Sequence, residues 1–254
     1  MPVYQSDALI LRTYKLGEAD RIVVFLTRDR GKKRGVAKGA RRPRSRFMGA
    51  LEPMTRGAIA YYEREQRELV RINYVEPERY PLSAATDNVS GDMALGHTGY
   101  FAELIDEWAP ESHADERLFR LGSSITDALA DGAPIDRLAR YFEYWILRLQ
   151  GVYPALNACP GCGAAFDRGA VMPAREALFM CRTCAPGTNG TRLGRDALQF
   201  LKAAGGAAPD RLAQVALSAL AARELETAHR RLLSMHLEKE LKSARVLREM
   251  RHTR

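Results

Sequence analysis

Two stretches near the start of the chain, ALILRTYKL (8–16) and DRIVVFLTRD (20–29), are dense in β-branched and large apolar residues and meet at the turn-forming LGEAD. This pattern predicts two paired strands. GKKRGVAKGA begins as a third, with Gly31 turning the chain and Val36 as its main apolar residue. The following RRPRSRF has no apolar period and contains Pro43, which marks a loop. GAIAYYERE and ELVRINYVE, around REQRE, read as two further paired strands. Five short strands separated by turn signals, within roughly 75 residues, predict a small barrel.

Beyond Pro81 the period changes to that of helices. GYFAELIDEWAP carries apolar residues at helical spacing and stops at Pro110, while DERLFRLGSSITDALADG opens on Asp115 as an N-cap and closes at Gly132. IDRLARYFEYWILRLQG places Leu138, Tyr141, Phe142, Trp145 and Leu149 on one face. After an insertion that contains the cysteines, helices resume near Leu193, with DRLAQVALSALAARELE and AHRRLLSMHLEKELKSARVLREM completing the chain. There is no internal repeat and no low-complexity linker. The predicted class is α+β: a β-barrel over residues 1–80, then a helical domain over 81–254 with the inserted module at about 155–190.

Composition adds little until charge is located. The 254 residues, 46% hydrophobic and 28% charged, are those of a folded chain with a real core. MPVYQSDALILRTYKLGEAD turns polar too soon for a secretory signal, and no run approaches the roughly 18 apolar residues of a membrane helix. A cytoplasmic location is expected. Between Arg28 and Arg46, however, ten cations face one anion, a net +9 against +8 for the whole chain, so the remainder sums to −1. A field this concentrated suits a polyanion, nucleic acid first and an anionic membrane second.

All four cysteines fall in one pattern, Cys159-x2-Cys162 and Cys181-x2-Cys184, with 18 residues between the pairs. A two-residue gap lets two thiolates on one turn point at a common centre, and two such knuckles supply the tetrahedral sulfur set that zinc prefers. Disulfides are disfavoured by a reducing compartment, and unrelated core thiols by the absence of cysteine elsewhere. Four protein ligands leave no position for water, so one structural Zn2+ is expected.

A catalytic site is harder to find. Gly31-Lys32 is followed by Lys33 where a phosphate loop needs Ser or Thr, so no bound nucleotide is expected. His97, His113, His229, His236 and His252 form no metal motif and read as ordinary surface or interface positions. No acidic pair suggests a two-metal nuclease, and Gly122–Ser124 lacks the glycine pattern of a nucleophile elbow. The chain is not expected to be an enzyme.

That leaves the basic stretch as the working surface. Charge runs are commonly solvated faces, yet this one lies inside the predicted barrel, where self-repulsion calls for a polyanion. Basic barrels with nearby aromatics hold single strands, which makes Phe47, Tyr61 and Tyr62 candidates for base stacking. Tyr61 and Tyr62 are adjacent on a strand, so only one of them faces the groove.

The segment ALILRTYKLGEADRIVVFLTRDRGKKRGVAKGARRPRSRFMGALEPM resembles the N-terminal domain of the bacterial recombination mediators of the RecO family, most specifically in AKGARRPRSRF and GALEP. The order of helices, the four-cysteine insertion and HLEKELKSARVL are similar as well. The resemblance implies an oligonucleotide-binding (OB) barrel, a helical domain and a zinc module. It also implies a role in DNA repair and recombination: binding single- and double-stranded DNA, annealing strands without ATP, and acting with RecR to load RecA on strands covered by the single-strand-binding protein SSB. On the matching motif, Lys32, Lys33, Arg34, Lys38, Arg41, Arg42, Arg44 and Arg46 are the expected phosphate contacts. Residues 230–254, net +5, either extend the DNA surface or receive the acidic SSB C-terminal tail, or else form only an amphipathic helix with Leu237, Leu241 and Leu247 in the core. A zinc-containing nucleic-acid-processing enzyme and a sequence-specific factor are the alternatives.

Overall fold

In a computed structural model, which describes residues 2–63, 67–83, 88–187, 189–237 and 239–252, the chain forms seven strands and six α-helices. The strands are β1 (Val3–Leu16), β2 (Asp20–Thr27), β3 (Gly31–Ala37), β4 (Arg56–Tyr62), β5 (Val70–Arg79), β6 (Ala170–Pro173) and β7 (Gly190–Leu193). The helices are α1 (Asn88–Trp108), α2 (Glu116–Ala130), α3 (Ile135–Leu149), α4 (Arg195–Ala204), α5 (Ala219–Leu237) and α6 (Lys242–His252), with a 3-10 helix at Pro209–Gln214. Two compact units result, one of residues 1–132 with 241–254, the other of residues 133–240.

The first unit contains the predicted barrel. Its strands run in the order β1-β2-β3-β5-β4, and β4 pairs back with β1 to close the ring. All pairs are antiparallel except β3 with β5, where Gly35–Ala37 lie parallel to Val70–Ile72. This is an OB-like barrel. Alternate residues point inward, so Val23 and Phe25 meet Ile59, Tyr61 and Ile72 in one core. The pairing of β1 slips between Ile10 and Arg12, within the run Ala8–Leu11 that is buried on both faces. Outward Leu9 is covered by α2, so closely that a β-carbon on Gly122 would lie 2.6 Å from its methyl. On the inner side, a β-carbon at Gly35 would lie 2.8 Å from both Val70 and Ile72, so β3 can approach β5 only without a side chain there.

The half of β3 that β5 does not reach is capped by the segment after α1. The Lys32 N–H donates to the Pro110 carbonyl at 2.9 Å, and the Ser112 N–H to the Lys32 carbonyl at 3.2 Å. Asp115 caps α2 as expected, accepting from the Leu118 N–H at 3.0 Å. The helix predicted over 228–250 is instead two, α5 and α6. At the start of α6 the Glu103 carboxylate of α1 accepts from the N–H groups of Lys242 and Ser243, at 3.1 and 2.8 Å, and satisfies the orphan donors of a fresh helix. Leu241 and Leu247 are buried there.

The second unit is built around α3. Leu138, Tyr141 and Phe142 are buried as its face requires, while Trp145 and Leu149 are only half-buried. Ala139, Tyr144, Ile146 and Leu147 are buried on its other sides, so α3 is a surrounded helix and not a one-faced one. The helix predicted over 210–226 splits into the 3-10 turn and α5, which starts afresh where the Ser218 hydroxyl accepts from the Ala221 N–H at 3.2 Å. The short hairpin β6–β7 was not signalled by any alternating run. Among the described residues no helix is long and apolar enough to cross a membrane.

Candidate nucleic-acid interface and metal centre

The eight cations of the basic stretch separate into three environments. Lys32 is 8% exposed, and its ammonium lies 2.6 Å from the Asp106 carbonyl oxygen, 3.3 Å from the Asp106 carboxylate and 3.5 Å from Glu111. Asp106, itself buried, also pairs with Arg12. Lys32 is therefore an internal counter-ion, a correction to its expected phosphate role. Lys33 is mostly covered and pairs with Glu63 at 2.8 Å. Arg34 is exposed but shares Glu111 at 3.2 Å.

Lys38, Arg41, Arg42, Arg44 and Arg46 are exposed and have no carboxylate partner among the described residues. They ride on the connection from β3 to β4, a chain of tight turns and not a slack loop. Arg42 N–H donates to Gly39 carbonyl, Ser45 to Arg42, Met48 to Ser45 and Ala50 to Phe47, all within 3.2 Å. Gly39 takes φ +71, and its N–H donates to the Asp20 carboxylate at 2.7 Å. Arg41 is held at both ends, its N–H on the Ala19 carbonyl and its guanidinium on that of Gly17.

Phe47, expected to stack on bases, is 2% exposed and closes the barrel core together with Ala50 and Leu51. It anchors the loop, and burying its ring outweighs presenting it to solvent. Tyr61 is likewise fully buried, between Phe25 and Tyr4, and burial raises its hydroxyl to about 12. Of the three aromatic candidates only Tyr62 reaches the surface, where it lines a cleft of about 660 Å³ with Leu16, Val36, Lys38, Arg67 and Arg71.

In the second unit the four cysteine sulfurs lie within 4.8 Å of one another, with Cys162 and Cys181 at 3.6 Å. A tetrahedron with metal–sulfur bonds of about 2.3 Å has sulfur–sulfur edges of about 3.8 Å, so the set fits one ion. The Cys181 N–H, 3.3 Å from the Cys159 sulfur, holds that thiol down to about 6, whereas hydrogen bonding with the Cys162 and Cys181 thiols pushes Cys184 up to about 12. Sulfurs this close cannot all ionise unless a cation sits among them. A side chain at Gly161 would crowd Cys184, its β-carbon 3.3 Å from the sulfur, which is why a glycine stands inside the first knuckle.

Both halves of the chain match known families. The model for "Recombination protein O N terminal" matches residues 1–81, and that for "Recombination protein O C terminal" matches residues 93–245. The chain belongs to the RecO family. The DNA repair protein RecO of Desulforudis audaxviator is 35% identical over 258 aligned residues, which span 98% of each chain. That of Koribacter versatilis is 41% identical over 163 residues, 64% of this chain and 65% of its own length. That of Geobacter metallireducens is 32% identical over 97% of each chain. The RecO N-terminal match ends just past β5, and the C-terminal one runs from within α1 into α6, so this is a DNA repair family of mixed α+β architecture.

Two histidines read as ordinary surface or interface positions are fully buried, His97 on α1 and, on α5, His229. Its Nδ1 lies 2.9 Å from the Glu143 carboxylate and its Nε2 3.1 Å from the Tyr153 hydroxyl, while Arg140 pairs with the same carboxylate at 3.0 Å. Burial holds the imidazole below its usual 6.5. The neutral ring donates from Nδ1 and accepts from the tyrosine, which satisfies both of its nitrogens. Nothing in a lone histidine 86 positions from its glutamate signals this.

Proposed function

We propose that the chain is a DNA-repair mediator that binds single- and double-stranded DNA through the β3–β4 loop, anneals complementary strands without ATP, and acts with RecR to load RecA on SSB-coated strands. The observation that carries the DNA reading is the set of five exposed cations, without a carboxylate partner among the described residues, on a loop pinned by Phe47. Lys38, Arg41, Arg42, Arg44 and Arg46 hold phosphates of two strands at once and screen their repulsion, leaving base edges free to pair. The RecR and SSB roles, the second taken by the acidic SSB tail, rest on family membership. One zinc ion, held by Cys159, Cys162, Cys181 and Cys184, would cross-link the insertion and take no part in chemistry.

The test is annealing of two complementary labelled oligonucleotides without ATP or magnesium. The wild type is expected to accelerate it. An Arg41→Ala/Arg42→Ala/Arg44→Ala variant is expected to lose the acceleration and to flatten the salt dependence of single-strand binding by about 2, at roughly 0.7 per phosphate. Binding without annealing by the wild type, or an unchanged salt slope in the variant, overturns the proposal.

A further inference from the structure

The four cysteine sulfurs surround one centre, but solvent reaches them unequally. Cys159 is 2% exposed, and its sulfur accepts the Cys181 N–H at 3.3 Å. Cys181 and Cys184 are half-buried. Cys162 is exposed, in the middle of the turn 160–164, whose other residues are exposed as well. A β-carbon added at the next residue, Gly163, would meet nothing within 4 Å among the described residues, so the turn is open on that side. The Cys162 sulfur lies 3.6 Å from that of Cys181 in the other knuckle. A disulfide bond is about 2.05 Å long, so closing one here takes an approach of about 1.5 Å. Among thiolates, the solvent-accessible ones meet oxidants first.

We propose that Cys162 and Cys181 form a peroxide-sensitive modification site, at which oxidation to a disulfide opens the metal centre and loosens the packing of the second unit; the inference rests on the metal reading above. The Cys162 thiolate attacks one oxygen of hydrogen peroxide; an S–O bond forms, the O–O bond breaks and hydroxide leaves. The Cys181 thiolate then attacks the Cys162 sulfur; an S–S bond forms, the S–O bond breaks and a second hydroxide leaves. Two electrons pass from the sulfurs to the peroxide. Only Cys159 and Cys184 are left as ligands, half of what a tetrahedral site needs. Such a disulfide is transient and redox-sensing, not structural. The fold carries the change away from the centre. Cys181 follows Met180, whose N–H and carbonyl both pair with Val171 of β6 at 2.9 Å. Phe179, before it, is buried and packs on the Tyr153 ring with 6.3 Å between centroids. The Tyr153 hydroxyl is the partner of His229 on α5, and Arg231 of the same helix donates to the Met172 and Pro173 carbonyls of β6. A shift of Cys181 toward Cys162 therefore pulls on both contacts that fasten the cysteine module to α5.

The experiment treats the full chain, loaded with zinc, with hydrogen peroxide. Released metal is followed with a chromogenic chelator, and disulfides are mapped by peptide mass spectrometry. The wild type is expected to release about one equivalent of zinc, to carry a Cys162–Cys181 bridge and to melt at a lower temperature. Dithiothreitol with added zinc is expected to restore the starting melting temperature. Cys162→His keeps four ligands without the exposed sulfur, and is expected to hold zinc and release it about tenfold more slowly. Cys184→His, which retains the reacting pair, releases it at close to the wild-type rate. The bridge map needs no variant, so it decides the matter even where a histidine variant folds poorly. A bridge made mainly through Cys159 or Cys184 overturns the site, as does zinc release from Cys162→His at the wild-type rate, or a wild type that keeps its zinc under peroxide. Zinc loss with an unchanged melting temperature overturns the link to α5. A wild type that cannot be loaded with zinc removes the metal reading together with this one.

Discussion

Lys32 and Lys38 carry the same charge six positions apart, and their surroundings give them opposite roles. Lys32 points to the covered side of β3 and neutralises Asp106; Lys38 stands in solvent beyond the strand's end. Removing one member of a buried pair leaves a charge without compensation, so Lys32→Ala is expected to lower unfolding stability by roughly 3 kcal/mol in urea titration and to leave the salt slope of DNA binding intact. Lys38→Ala should do the reverse, with stability within about 0.5 kcal/mol and weaker DNA binding. At this scale the sequence is legible only in bulk. A run of like charges announces a basic surface, but strand parity and the helix packed behind decide which members reach it. Phe47 and Tyr61 fail as stacking residues for the same reason. An aromatic beside a basic run looks available until its barrel closes.

Elements were legible where their signals are local. The five barrel strands, the Asp115 cap and the paired cysteine knuckles all arise from neighbours in sequence. The break between α5 and α6 does not, because Glu103, which receives α6, lies 140 positions from Ser243. Nor does the burial of α3 on all sides, since its polar residue Glu143 pairs with Arg140 and with His229 inside the unit. That network ties α3 to α5 and makes their packing depend on pH. His229 is held below 6.5 by burial, against the opposing pull of Glu143, so the unfolded chain binds the proton more readily. The stabilisation is fully present above about pH 6.5 and is lost as pH falls through the depressed value of the folded state. Thermal melts between pH 7.5 and 5.5 should show this loss in the wild type and a smaller one in His229→Gln, which no longer titrates; equal losses would exclude His229 as the source.

For the molecule as a whole, charge and metal are divided between units. The exposed cationic loop belongs to the barrel unit, whereas the four-cysteine cluster belongs to residues 133–240. Stripping the metal with a chelator is therefore expected to lower the melting temperature of the second unit, while the barrel's affinity and salt slope for single-stranded DNA persist. Simultaneous loss of both would mean that the module supports the nucleic-acid surface directly. Composition alone showed a basic protein; only the segment-by-segment balance showed that the rest of the chain is close to neutral.

Ring closure has a further consequence. A protein that coats a polymer is brought to local concentrations far above those in free solution, where an unpaired strand edge recruits the edge of the next copy and seeds aggregation. Here β4 returns to β1, and Lys32, in the part of β3 that β5 does not reach, is bonded to Pro110 and Ser112, so much of the barrel edge is already paired. If the chain works as proposed, copies crowded along a strand would meet few free edges through which to pair with one another.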